Sequence, residues 1–477
     1  MGRVRQITGM RADMPTIKTD SFSGIMPRVH PTLLPDGCAV KAHNCRLASG
    51  KLSPLRQPLK VSGKRIRLEN GLDKIANASS LYLWRRGDNI EEFLAWPGIV
   101  KVAQGNIADD ALDRIFVTGE TGIGGSGHNY PCAYISSSTG SSFTRHSLVK
   151  TSLIAPVIKV APANADTANT RYTFFFQTWV DAYGYESGVS APSDNSGTED
   201  GSTEYNDGDE ITFDALTAPS GAVKRRFYKV VTGTQTETIQ FIAEQAVTGS
   251  GFLEFTVAIK DEDAGEVIPS MVSPPIDLSW MSYVPGNFYA GFSASRLRTV
   301  MFSDVNKPTS WPDAYMYDIR DNIVGLAVAG NTVYALTDGY PWALSGSAPE
   351  SMTPTVLSSP QACVSSRSIC IMDGAAFYAS QDGICMLSQS SGYPLLVPVI
   401  TEKYFSKREW EALNPSSCIM DTYDGALHAW FTLDNGLRQG YVIDIGEGVS
   451  AITTHDEQAK AVLYDANSDG LYYVREV

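Results

Sequence analysis

Near the end of the chain, Asp465, Asn467, Asp469, Gly470 and Glu476 reproduce the spacing D-x-[DN]-x-[DN]-G-x5-E. In an EF-hand that spacing wraps calcium in carboxylate and carbonyl oxygens between an entering and an exiting helix. Here KAVLY, just before Asp465, has the pattern of a strand, and no exiting helix is expected before Val477. Asp, Asn, Ser and Gly are also the residues a tight turn requires. The stretch therefore reads as a hairpin turn, with calcium held by oxygen ligands as the alternative.

Other constellations fare no better. GIGGSG, from Gly122 to Gly127, fits G-x-G-x-x-G but is followed by HNYPCAYISSS, which has no helical pattern to hold a pyrophosphate at its start. Cys38, His43 and Cys45 could face zinc, yet the spacing matches no usual structural site and lacks a fourth ligand. The six histidines are scattered, and GFSAS at 291–295 fails the G-x-S-x-G elbow. The repeated box of sialidase propellers is absent, SQDGIC being the nearest approach. The basic clusters KRRFYKV (Lys224 to Val230) and SGKRIRL (Ser62 to Leu68) read as solvated strand faces or contact points for an acidic partner. No catalytic residue, cofactor-binding residue or metal ligand is assigned.

The elements around these residues are strands. SSLYLWRRGDNIEEFLAW gives two apolar runs about a turn at Gly87-Asp88-Asn89, and DRIFVTG adds another strand. RYTFFFQTWVDAYGYESGVSAPS alternates, with Tyr172, Phe174 and Phe176 on one face and Phe175, Gln177 and Trp179 on the other. RRFYKVVTGTQTETIQFIAEQ is a strand pair joined across Thr232-Gly233. Polar, proline-containing segments on either side (APANADTANT and IPSMVSPP) set off residues 152–270 as an inserted β-sandwich. Beyond it, GNTVYALTDGYPWALSG, MDGAAFYASQDGICMLS, YDGALHAWFTLDNGLRQGYVIDI and KAVLYDANSDGLYYV repeat one strand–turn–strand unit. Hairpins cannot bury their own faces, so a radial stack, a β-propeller of about six blades, is expected. One helix is predicted, over SKREWEAL, from the Ser406 and Glu409 capping box and the stop at Asn414-Pro415. The organisation is an extended N-terminal arm (1–60), first blades (61–151), the insert (152–270) and remaining blades (271–477), an all-β chain.

Bulk properties bound the function. Apolar residues at 43% and charged residues at 19% describe a folded chain, while 41 Gly and 25 Pro favour many short elements. A net charge of −14 argues against gripping nucleic acid. MGRVRQITGMRADMP has no apolar run, so no signal peptide is expected, and no stretch suggests membrane insertion. Seven cysteines without a CxxC pair suit synthesis in a reducing cytoplasm.

Three stretches then bring a family into view. They are SFSGIMPRVHPTLLPDGCAVKAHNCRLASGKLSPL; SRLRTVMFSDVNKPTSWPDAYMYDIRDNIVGLAVAGNTVYALTDGYPWALSGSAPESM; and QACVSSRSICIMDGAAFYASQDGICML running on to KREWEALNP. Together they resemble the tail nozzle, or tail tubular, proteins of short-tailed bacteriophages. YTFFFQTWVDAYGYESGVSAPS with RRFYKVVTG looks like a fibronectin type III-like insert. The resemblance implies a structural, non-enzymatic virion protein, made in the host cytoplasm and assembled in the short tail. Six copies would form a homo-oligomeric ring below the head-to-tail adaptor protein, anchor tail fibres or spikes, and let genomic DNA pass without specific binding. The alternative is a receptor- or glycan-binding tail protein with hydrolase activity.

Overall fold

Alternating apolar residues broken by Asp-Gly turns favour hairpins, and the chain folds accordingly. The computed structural model describes residues 21–47, 50–69, 71–87, 90–120, 131–137, 139–161, 168–194, 201–232, 237–260, 262, 265–268, 272–446 and 448–475. The chain is nearly all β, and the described residues contain a single α-helix, Lys407–Ala412. Ser406 caps it as expected: its hydroxyl accepts from the Glu409 N–H, and the Glu409 carboxylate accepts from the Ser406 N–H at 2.8 Å. Asn414, at φ 55°, and Pro415 end it.

Outside the insert and the arm the described residues form seven sheets. The first has strands Arg65–Leu68, Ser80–Arg86 and Ile90–Trp96. The second runs Lys101–Gln104, Ile115–Thr118, Cys132–Ser136 and Phe143–Ser147, and the third Leu278–Val284, Phe288–Ser293, Arg296–Phe302 and Met316–Asp318. The fourth is Ile323–Ala329, Thr332–Thr337, Trp342–Ser345 and Thr353–Val356. The fifth is Cys370–Met372, Ala375–Ser380, Gly383–Ser390 and Tyr393–Ile400. The sixth holds Ile419–Tyr423, Ala426–Thr432, Arg438–Gly446 and Gly448–His455, and the seventh is the hairpin Ala459–Asp465 and Gly470–Arg475.

The second to fifth sheets, and the core of the sixth, are antiparallel meanders. Their tight turns explain the Asp-Gly pairs. Asp373-Gly374 sits at φ 50° and 75° and Asp424-Gly425 at φ 51° and 69°, the left-handed pair of a type I′ turn.

Seven sheets are thus described where about six units are expected. The first three sequence repeats are second-and-third strand pairs of the fourth, fifth and sixth sheets, whereas KAVLYDANSDGLYYV is a two-stranded sheet of its own.

Successive sheets pack face to face. Phe116 and Tyr289 join the second to the third; Phe302 and Val333 the third to the fourth; Tyr334 and Tyr378 the fourth to the fifth. Phe377, Trp410 and Phe431 join the fifth to the sixth. Each such side chain, fully buried, contributes about 2 kcal/mol. The seventh sheet lies against the inner strand of the sixth, and its Ala461 and Val474 pack with Ala95 and Leu81 of the first. Trp84, Leu94 and Trp96 then bring the first onto the second.

The arm extends the sixth sheet. Gly24–Ile25 pairs in parallel with Gly448–His455, and Cys38–Ala39 pairs outside it. Arg46, buried, is locked to Asp444.

Between Ile158 and Ala258, strands pair among themselves around Phe175, Phe213 and Phe227. The single long strand expected over 171–193 is instead two, Arg171–Thr173 and Phe175–Asp181, pairing with different partners. Residues 186–193 return beside the second without becoming a regular strand. The N–H groups of Trp179, Gln177 and Phe175 donate to the hydroxyls of Ser187, Ser190 and Ser193. The backbone carbonyls of the same three residues accept from the three serine N–H groups.

Candidate functional site

The first strands of the second to seventh sheets share one feature: they line a single cavity of about 750 Å³. Lys101 and Gln104 come from the second sheet, Ser282 from the third, Leu326 from the fourth, Cys370 from the fifth and Asp421 from the sixth, with Tyr464 from the seventh. Near the starts of these strands Arg367, in the loop before the fifth sheet, donates to the carbonyl of Ser79 at 3.0 Å and to that of Lys460. One guanidinium thereby ties together the loop or strand starts of three sheets.

Trp280 shapes one wall. It occupies a bulge at φ 58°, and its indole N–H donates to the Leu326 carbonyl at 2.6 Å. Gly325 opposite must lack a side chain, since a Cβ would lie 2.5 Å from Ile369 and 2.9 Å from the indole. The Lys101 ammonium sits 5.7 Å from the Trp280 ring centroid, within cation–π range.

Electrostatics in the cavity are unusual. Burial pulls the Lys101 ammonium below the ordinary lysine value, opposed by the charge of Asp421. Burial likewise raises the Asp421 carboxyl, against bonds from the Tyr464 N–H at 2.7 Å and the Thr422 N–H at 2.9 Å. The Cys370 thiol is pushed well above its usual range, so it is not an activated nucleophile. An amine that gives up its proton readily and a carboxyl that keeps its own are what a proton-transfer site needs, and also what two desolvated wall residues produce. Among the described residues no group of three or more His, Cys, Asp or Glu is placed to hold a metal ion.

A second polar cluster joins insert to body. Lys150 Nζ lies 2.6 Å from the buried Asp181 Oδ2, and His146 Nε2 lies 2.5 Å from the same oxygen. Burial alone would raise the Asp181 carboxyl, but the bonds from His146 and Lys150 outweigh it and hold it at about 2. Beside it, Tyr185 joins the apolar cluster of Met281 and Trp311.

The residues singled out in the sequence fall elsewhere. Asp465 is engaged by Arg85 at 2.8 and 2.6 Å and accepts from Ser468, so it acts as a turn and ion-pair residue. Asp469 accepts from the Tyr464 hydroxyl at 3.2 Å. Asn467 is exposed in the turn, and Glu476, GIGGSG and the tips Asp88-Asn89 and Gly233 lie outside the described residues. His43 turns to Thr454 and Asp456 rather than joining Cys38 and Cys45.

SGKRIRL is exposed over Arg65–Leu68 as expected, but the cluster KRRFYKV corrects the expectation of a solvated face. Arg225 and Lys229 are buried in the insert, Arg225 bonding Gln177 at 2.5 Å and stacking on Phe227 at 4.4 Å. Their alternates Lys224 and Arg226 pair with Glu244 and Glu186. Lys101 and Asp421 went unnoticed because each is an isolated residue in its own segment, and only the stacking of sheets brings them together.

No family model and no curated protein matches the chain. Among solved structures it is similar to Kluyvelomyces marxianus Hsv2 at 9% identity and a TM-score of 0.23, covering 50% of this chain and 59% of that one. BBS1N in its complex with ARL6DN gives 8% and 0.27 over 56% and 84%, and apo AztD from Citrobacter koseri 8% and 0.29 over 63% and 76%. Scores this low carry no argument about function.

Proposed function

We propose that this chain is a structural virion subunit, the tail nozzle of a short-tailed bacteriophage. It is read as a β-propeller with an inserted fibronectin type III-like sandwich and an N-terminal arm. In support of the propeller, first strands of six successive sheets share one cavity, and the seventh sheet packs back on the first. Six first strands about one cavity agree with a propeller of about six blades. Six copies would ring the genome's path below the adaptor, carry fibres or spikes, and assemble in the virion without catalysis.

The observation that carries the functional reading is how the chain spends its cations. Arg46, Arg86, Arg114, Lys150 and Arg226 are each tied to a carboxylate of the same chain. The net charge of −14 is thus left to the surface, which suits a conduit that must not hold DNA. Electron microscopy of the protein, alone and with its adaptor ring, tests this. Six-fold rings with an acid-lined channel are expected, and isolated particles in both samples, or a basic lumen, would overturn it.

The cavity supports the second reading, a receptor- or glycan-binding tail protein with hydrolase activity, through Lys101 and Asp421. Binding to a host-surface glycan that is lost in Asp421→Asn would favour it.

A further inference from the structure

Charge is divided along this chain in an extreme way. Residues 37–68 hold eight Lys/Arg and no Asp/Glu, whereas residues 172–223 hold ten Asp/Glu and no Lys/Arg. The basic stretch is also bare. Lys41, Lys51, Arg56, Lys60 and Arg65 are exposed and make no ion pair among the described residues. Between them Leu52, Leu59 and Ile66 are exposed, Leu59 at 91%. Arg65–Leu68 is moreover an edge strand of its three-stranded sheet, so its outer backbone groups have no ladder partner within the sheet. An exposed strip of alternating cations and aliphatic side chains is a surface for a partner that is both acidic and apolar.

The insert matches that description. Asp194 and Glu210 are exposed on it, with Asp214 half-exposed, and Val160, Tyr172 and Leu253 stand out of the same module. Among the described residues of one chain the two surfaces form no ion pair: those of residues 37–68 run to Glu69, Glu91, Glu92, Asp424, Asp444 and Asp456, none of them in the insert. We infer that the basic arm and edge strand of one copy dock on the acidic insert of the next, a head-to-tail contact between copies of this chain. Two different complementary patches on each copy make a heterologous interface, the kind that closes into a ring when its rotation divides a full turn. The inference rests on the ring reading above and adds to it the surfaces that join neighbours.

The test is sedimentation of four preparations of the full chain, each checked for an unchanged thermal melt. They are the wild type, an arm variant (Lys51→Glu, Arg56→Glu, Lys60→Glu, Arg65→Glu), an insert variant (Asp194→Lys, Glu210→Lys, Asp214→Lys), and an equimolar mixture of the variants. Wild-type self-association should weaken about tenfold or more between about 0.05 M and about 0.5 M NaCl, since exposed charges are screened over that range. Each variant alone should be a monomer, and the mixture should reassemble, because a reversed arm again meets a reversed insert. Wild-type assembly that both variants retain overturns the inference and leaves the ring reading standing. A wild type monomeric at every salt concentration overturns the inference, while six-fold rings formed only on the adaptor would still support the nozzle. Salt-sensitive closed rings of another symmetry support the interface and count against the nozzle. Arm-dependent binding to duplex DNA or to vesicles of anionic lipid, without self-association, also overturns it.

Discussion

Two lysine–aspartate combinations, one buried and one lining the cavity, respond to desolvation in opposite ways. At the root of the insert, Lys150 touches Asp181 at 2.6 Å and the carboxyl is held at about 2. In the cavity, Lys101 and Asp421 sense each other's charge, yet burial dominates both: the amine is pulled down and the carboxyl pushed up. The difference teaches that depth alone does not decide how a charge fares. A touching partner with further hydrogen bonds compensates desolvation, and a partner that is merely nearby does not.

The largest effect should come from breaking the touching pair. Lys150→Met takes the ammonium from the buried Asp181 carboxylate, leaving it His146 and the Tyr183 and Tyr185 N–H groups, and should lower the unfolding free energy at neutral pH by about 3 kcal/mol in urea titrations. Lys150→Met with Asp181→Leu should recover much of that loss; a single variant as stable as the wild type would erase the contrast.

The pH dependence of the same pair comes next. The folded Asp181 carboxyl lies below the unfolded value near 3.8, so its stabilisation is complete above about pH 4 and lost as the pH falls toward about 2. That is roughly 2 kcal/mol, read as the excess acid sensitivity of the wild type over Asp181→Asn.

In the cavity the slope keeps the same sign, rising with pH, but here the charged form is the destabilised one. Because the folded Lys101 amine binds its proton less readily than the unfolded chain, wild-type stability climbs as the pH rises toward the ordinary lysine value. Lys101→Met should remove that slope and raise stability at neutral pH by about 1 kcal/mol. Destabilisation instead would place Lys101 with Lys150 as a satisfied ion.

Asp465 supplies an intermediate case and the smallest effect. Its bond from Arg85 first, against burial, holds it at about 2, but Arg85 is 31% exposed. Asp465→Ala should cost about 1 kcal/mol or less. Calcium or a chelator should leave the melting temperature of the wild type unchanged, and a rise with calcium would reinstate the metal loop.

Legibility in the sequence followed the range of the physics. Local rules worked: the Ser406 and Glu409 capping box, and the face of Phe175, Gln177 and Trp179, all three of which are buried. The mis-phased last repeat came from treating every strand pair as equivalent, when a hairpin looks the same whichever two strands of a sheet it supplies. Arg225 and Lys229 were misread because charge suggests solvent, while strand alternation places them on the same inward face as Phe227. The cavity depends on six strands whose contributing residues lie between positions 101 and 464, a juxtaposition that no local spacing records.

The serine return beside Phe175–Asp181 has a consequence for the life of the chain at high concentration. Ser187, Ser190 and Ser193 advance three residues for every two of the strand they border, so their own outer backbone groups fall out of step with any regular ladder. A sheet normally ends in a row of open donors and acceptors that recruits another strand. Here that border is already saturated on its inner side and mismatched on its outer side, and Pro192 within it offers no N–H, which together protect the insert against edge-to-edge aggregation.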